Sequence, residues 1–159
     1  MDELKFAVIG NPVSHSLSPD IHLFFASQFQ LERYTYNRIK SNEDGFEREI
    51  NDFFKNGGVG LNVTVPFKGL AYNLCDELDQ SAELCKSVNT LLMDSGKLIG
   101  HSTDGQGLID DFLHKEITLE DSKILIIGAG GSAASIISSL LSHGKIKEIS
   151  ILNRTKSNA

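Results

Sequence analysis

Asn62, Thr64 and Lys68 lie in the stretch LNVTVPFKG, residues 61–69, which sets an amide, a hydroxyl and an ammonium where an apolar run meets a proline. In an extended strand alternate side chains face opposite ways, so Asn62 and Thr64 share one face while Leu61, Val63 and Val65 share the other. Ser14, Ser16 and Ser18 follow an earlier apolar run, and Asn89 and Asp104 come later in the chain. Hydroxyls and amides near a helix start suit a small, oxygen-rich anion. Taken singly, each residue has a plainer use. The first stretch reads as a half-exposed edge strand with a solvated lysine, Ser18 as a helix cap, Asn89 as a strand-end turn residue and Asp104 as the cap of a following helix. Position favours the chemical reading, because open α/β sheets bind ligands in loops beyond the carboxyl ends of their strands.

A second group carries phosphate chemistry. Gly128, Ala129, Gly130, Gly131, Ser132 and Ala133 contain the pattern G-x-G-x-x-A, with a strand before it and a helix after it. Glycines let the backbone approach a pyrophosphate, whose charge then sits on the free amides of the helix N-terminus. The next strand of such a unit normally ends in an acid that takes the ribose 2′-hydroxyl of NAD. Here it ends in Asn153, Arg154, Thr155 and Lys156, so cations replace the acid and a 2′-phosphate is the better fit. NADP is therefore favoured over NAD. The plainer reading of Arg154 and Lys156 is two solvated surface charges.

The elements needed to hold these groups alternate along the chain. Strands are expected over 6–9, 34–39, 59–65, 87–93, 97–99, 123–127 and 148–152. A helix opened by Ser18 or Pro19 carries Ile21, Leu23, Phe24, Phe25 and Phe29, and a second, capped by Ser41 or Asn42, carries Phe46, Ile50, Phe53 and Phe54. Short helices follow from Pro66 to about residue 74 and over 81–85, and longer ones over 104–114 and around 136–141. Asp94, Ser95 and Gly96 give a hairpin signal. Residues 123–127 form an apolar run of the kind buried in parallel sheets, and the βαβ unit it opens is about 30 residues long. The fold class is α/β: an open, mostly parallel domain over 1–103, then a bridging helix and the start of a Rossmann-type domain over 104–159.

Composition excludes several classes. A net charge of -6 with no basic stripe argues against nucleic-acid binding. Cys75 and Cys85 have no Cys or His at metal spacing, so no metal is expected and reduced packing thiols in the cytoplasm are the simplest account. No apolar run approaches the roughly 20 residues needed to span a bilayer.

The motifs NPVSHSLSP, NVTVPFK, VNT, STDG and GAGGSAAS occur in the order found in shikimate dehydrogenases, and the chain resembles that family from its first strand to its last residue. The resemblance implies NADPH-dependent reduction of 3-dehydroshikimate to shikimate in a cleft between a substrate domain and a cofactor domain. It implies that Ser16 and Ser18 bind the substrate carboxylate, that Thr64, Asn89 and Asp104 contact ring hydroxyls, and that Asn62 shapes the pocket. Lys68 and Asp104 match the family's catalytic pair, while Arg154 and Thr155 match its NRT motif for the 2′-phosphate. A lysine held beside a carboxylate can hydrogen-bond a carbonyl that receives hydride and supply the proton to the new alkoxide.

The chain departs from the family pattern at Lys86 and Ser87, where Gly-Ala is common, at Ser102, where Asn is common, and at Ser132, where Ala is usual. These changes are expected to tune substrate position. The resemblance also covers only the first part of the family's length, so the expectation is a truncated, inactive chain prone to homo-oligomeric or swapped association through an uncovered sheet. Two alternatives stand beside the main reading. One is a paralogue that accepts quinate or uses NAD, and the other is a non-catalytic small-molecule-binding module.

Overall fold

The computed structural model describes residues 3–155. Six strands form the first sheet: β1 (Leu4–Gly10), β2 (Tyr34–Lys40), β3 (Gly58–Val63), β4 (Glu77–Leu78), β5 (Thr90–Asp94) and β6 (Lys97–His101), in the order β2-β1-β3-β5-β6-β4. β1 runs parallel to β2 and β3, and β4 parallel to β6, while β5 is antiparallel to both its neighbours. The antiparallel pair is the hairpin expected at Ser95 and Gly96, which both adopt positive φ. β4 was not legible as a strand, because two residues are too few to show a period.

Alternation along β1 explains the layering. Ala7 and Ile9 join Leu61, Val63, Leu91 and Leu98 under α2 (Phe46–Lys55) and α3 (Lys68–Leu74), the main core of the molecule. Val8 and Tyr36 pack on the opposite face with Val13, Phe6 and Tyr34, beside α1 (Ser18–Gln28). That helix buries only Pro19 and Ala26, and Phe24, Phe25 and Phe29 face solvent. Its apolar residues surround the axis, so no single inward stripe was available to pack.

The strand expected over 59–65 ends at Val63, and the chain then turns at Pro66. Thr64 nonetheless stays in line, its amide donating to the Ile9 carbonyl at 2.9 Å. Asn11 donates to the Val65 carbonyl at 2.9 Å, which ties the loop after β1 to the loop after β3. α2 starts later than Asn42 predicts, because the Asn42 side chain accepts from the Gly45 amide and closes a turn before the helix.

α4 (Gln80–Cys85) is capped by Asp79, which accepts from the Ala82 amide. α5 (Asp104–His114) leads to a two-stranded parallel sheet, β7 (Lys123–Ile127) and β8 (Glu148–Leu152), joined by α6 (Gly131–His143). Ile124, Ile126 and Ile149 pack with Ile109, Phe112, Ile136 and Leu140 from α5 and α6. The expectation that 123–127 is buried on both faces is not met: Leu125 and Ile127 are 61% and 78% exposed, because the helices cover one face only.

α5 and α6 cross at Gly105. A Cβ there would lie 2.2 Å from the Ser135 carbonyl oxygen and 2.3 Å from Ser139 Oγ. Relief needs backbone movement, so Gly105→Ala is expected to destabilise the fold by about 1–3 kcal/mol. A lower thermal midpoint is the expected result, and an unchanged one would show that the crossing is loose.

Candidate active site

The carboxyl ends of β1, β3 and β6 and the amino end of the antiparallel β5 lie at one edge of the sheet, and the polar residues gather there against the start of α6. Lys68 is the first residue of α3, and Asp104 the first of α5. Thr103 holds the N-cap position of α5 without any side-chain capping bond, so Asp104 is not the cap that its position suggested. Its carboxylate accepts instead from Lys68 Nζ at Oδ2 and from Asn89 Nδ2, 2.6 Å away, at Oδ1. The Lys68 side chain is 12% exposed and that of Asp104 25%.

Asn89 is not a mere turn residue either. Its Nδ2 also donates to Thr103 Oγ1 at 2.9 Å, and its Oδ1 accepts from the Thr103 amide at 3.1 Å. This buried side chain thus aligns the first turn of α5. Burial alone would raise the Asp104 carboxyl; the hydrogen bond and charge of Lys68, with bonds from Asn89 and Ser132, outweigh it and hold it below its ordinary value.

Asn62 is fully occupied by the protein. Its Oδ1 accepts from the Tyr36 hydroxyl at 2.6 Å, and its Nδ2 donates to the Asn89 carbonyl at 3.3 Å and to Thr90 Oγ1 at 3.2 Å. It braces the loop ends of β3 and β5. Tyr36, which the sequence reading missed, is 5% exposed and stacks on His22 with ring centroids 4.4 Å apart. Burial pushes its phenol up to about 12, with a hydrogen bond to Ser18 opposing the rise, so it remains a donor at any physiological pH. Burial likewise lowers His22. A tyrosine on a strand reads as core, and no sequence signal joins it to Asn62: β1 lies between them, Tyr36 pairing with Phe6 and Asn62 with Val8, so the hydroxyl reaches the amide diagonally.

Ser16 donates to Ser18 Oγ at 3.1 Å, and Arg38 donates to the Ser16 carbonyl from both Nε and Nη2 at 3.0 and 2.6 Å. Leu17 is the N-cap of α1, so Ser18 does not cap it. Thr64 is held against Gly10: a Cβ at Gly10 would meet Thr64 Cγ2 at 2.3 Å. No side-chain hydrogen bond occupies the Thr64 hydroxyl among the described contacts.

The glycine loop faces this cluster. Gly128 has φ of 114°, which requires glycine, and its amide donates to the Leu152 carbonyl, bringing the loop beside the end of β8. Gly130 is the N-cap of α6 without a side-chain cap, and a Cβ there would meet nothing within 4 Å. Ala129 and Ala133 complete the loop. Asn153 donates to the Thr155 carbonyl at 2.8 Å, and Arg154 is exposed beside it. Lys156 lies outside the described residues. Lys68, Asp104, Asn89 and Ser132 are thus in one cluster, and Asn153, Arg154 and Thr155 lie at the far side of the glycine loop.

A sheet that gathers amides, hydroxyls and a lysine–carboxylate pair at one edge, facing a glycine-loop βαβ unit, defines a two-part α/β protein with a dinucleotide-type loop beside a polar site. Residues 8–91 match the model of the shikimate dehydrogenase substrate binding domain, and residues 111–159 match that of shikimate / quinate 5-dehydrogenase. The chain belongs to the shikimate dehydrogenase family. It is 44% identical over 155 residues to shikimate dehydrogenase (NADP(+)) of Acinetobacter baylyi, an alignment covering 98% of this chain and 58% of that protein. Shikimate 5-dehydrogenase of Thermus thermophilus, solved in complex with NADP(H) and shikimate, superposes with a TM-score of 0.88 at 31% identity, over 98% of this chain and 58% of that one. The Aquifex aeolicus shikimate dehydrogenase structure gives 0.89 at 30% identity, over 98% and 57%. The chain therefore spans a little over half the length of the relatives it matches. Among the described residues no group of His, Cys, Asp or Glu could hold a metal, and no helix is long and apolar enough to cross a membrane.

Proposed function

We propose that the chain contributes to the NADP-dependent interconversion of 3-dehydroshikimate and shikimate, with Lys68 and Asp104 as the catalytic pair. The observation that carries this reading is the position of the Lys68 ammonium, bound to Asp104 at the mouth of the substrate sheet and bound at once to the nucleotide loop through Ser132. Ser16 and Ser18 hold the substrate carboxylate. Thr64, Asn89 and Asp104 take the ring hydroxyls, and Asn62 keeps the pocket wall in place. Lys68 donates a hydrogen bond to the substrate carbonyl and passes a proton to the alkoxide as it forms. Asp104 keeps that lysine charged and aimed, and Asn89 keeps Asp104 in place. The two free cysteines, Cys75 and Cys85, suit a protein of the cytoplasm.

The residues fit the dinucleotide. The uncapped start of α6 and the open space before Gly130 leave amides free for a pyrophosphate. Arg154, with no acid beside it at the end of β8, is placed for a 2′-phosphate, with Asn153 and Thr155 beside it. The bound cofactor supplies or accepts the hydride. Arg154→Ala is expected to raise the KM for NADP+ about tenfold or more while leaving that for NAD+ nearly unchanged. Equal losses for both cofactors would remove Arg154 from the 2′-phosphate site.

The reading is tested with the chain joined to the remaining length of its family's cofactor domain, by steady-state assays that pair shikimate or quinate with NADP+ or NAD+. The parent and variants of every turnover test are in that form. Highest kcat/KM for shikimate with NADP+ supports it. A preference for quinate would redirect the substrate assignment, and binding without turnover would favour a non-catalytic module.

A further inference from the structure

Lys68 has three ammonium protons. One points to Asp104 and a second donates to Ser132 Oγ at 2.8 Å. Ser132 belongs to the second half of the chain: it is the second residue of α6, the helix between β7 and β8, and part of the nucleotide loop. The loop reaches the lysine because residue 131 has no side chain. A Cβ on Gly131 would lie 3.2 Å from Lys68 Cβ, 3.4 Å from Lys68 Cδ and 2.5 Å from Ser87 Oγ.

An ammonium at a helix N-terminus is opposed by the helix dipole, so it stays only where specific acceptors hold it. Asp104 and Ser132 are those acceptors. The ammonium thus bridges an acid at the start of α5 and a hydroxyl at the start of α6. Two fixed donors on a tetrahedral ammonium leave the third with one direction.

We infer that Ser132 is a positioning residue for Lys68, linking the set of the nucleotide loop to the aim of the catalytic ammonium. The inference rests on the dehydrogenase reading for what the third proton does, but the two hydrogen bonds on the ammonium do not. Movement of the loop therefore turns the lysine, and a lysine correctly aimed steadies the loop.

The test compares Ser132→Ala with Ser132→Thr, which keeps the hydroxyl. At saturating shikimate and NADP+, Ser132→Ala is expected to lower kcat about fivefold to tenfold, and Ser132→Thr to restore it. Independently of turnover, the two Lys68 Cε protons should be inequivalent by NMR in the unliganded parent and in Ser132→Thr, and should merge in Ser132→Ala. Unchanged kcat with unchanged Cε signals would overturn the inference. So would a defect that vanishes at saturating NADP+, because Ser132 would then be a cofactor ligand only. An equal kcat loss in both variants with Cε signals retained would also overturn it, since loop packing would be the cause. Merged signals in Ser132→Ala with no turnover in the parent would uphold the Ser132–Lys68 link and sink the dehydrogenase reading instead.

Discussion

Lys68→Ala is expected to lower kcat about a hundredfold to ten-thousandfold, the range of a positioned general acid, while leaving NADP+ affinity within a small factor of the parent. The loss has two parts. The variant removes the proton source for the forming alkoxide, and it removes the cation that polarises the carbonyl in a site where water screens poorly. Lys68 is at the start of α3, held by Asp104 and Ser132, so truncation also leaves the Asp104 carboxylate without its ion pair. That carboxyl would lose its largest lowering influence, and burial would then raise it. Substrate binding should weaken less than turnover, because Ser16, Ser18, Thr64 and Asn89 remain. A variant that keeps parental kcat would take Lys68 out of the chemistry, whatever its place in the cluster.

Asp104→Asn should cost about tenfold to a hundredfold in kcat, from the ~1.5–3 kcal/mol carried by a hydrogen bond to a charged group. The geometry makes this an uneven exchange. Asn89 donates to Oδ1 and Lys68 to Oδ2, so both oxygens are needed as acceptors. An amide offers one acceptor, and in either orientation its NH2 faces another donor. The variant also separates a pH effect. Because the Asp104 carboxyl sits below its unfolded value of 3.8 in the folded protein, its contribution to stability is present in full above that value. It is lost as pH falls through the lower folded value. Thermal midpoints of parent and variant should therefore differ at neutral pH and converge below pH 3.8. A gap that persists unchanged into strong acid would show that the carboxylate charge is not what stabilises the pair.

The legible parts of the molecule are those set by local pattern. The span of α5 follows from its apolar spacing, and its bounds, Asp104–His114, are those expected. The hairpin at Ser95 and Gly96 follows from turn chemistry, and the glycine loop from its strand and helix flanks. Illegible features depend on contacts distant in sequence. Whether Asp104 caps a helix or pairs with a lysine is decided by residue 68, 36 positions away, and no local signal separates the two. Tyr36 reads as core because its ring is core; only its hydroxyl reaches Asn62. Ser132 looked like a minor departure within the glycine loop until the fold brought it to Lys68. Burial of β7 was overestimated for a related reason, since an apolar run cannot say how many of its faces will be covered.

Whether Lys68 and Asp104 serve hydride transfer to a substrate carbonyl is decided by supplying 3-dehydroshikimate with NADPH deuterated at the transferring position and measuring the label in the product by mass spectrometry. The expected result is one deuterium on the carbinol carbon of shikimate for each cofactor oxidised, with label appearing about a hundredfold or more slowly with Lys68→Ala. Binding of both ligands without label transfer in the parent would contradict it.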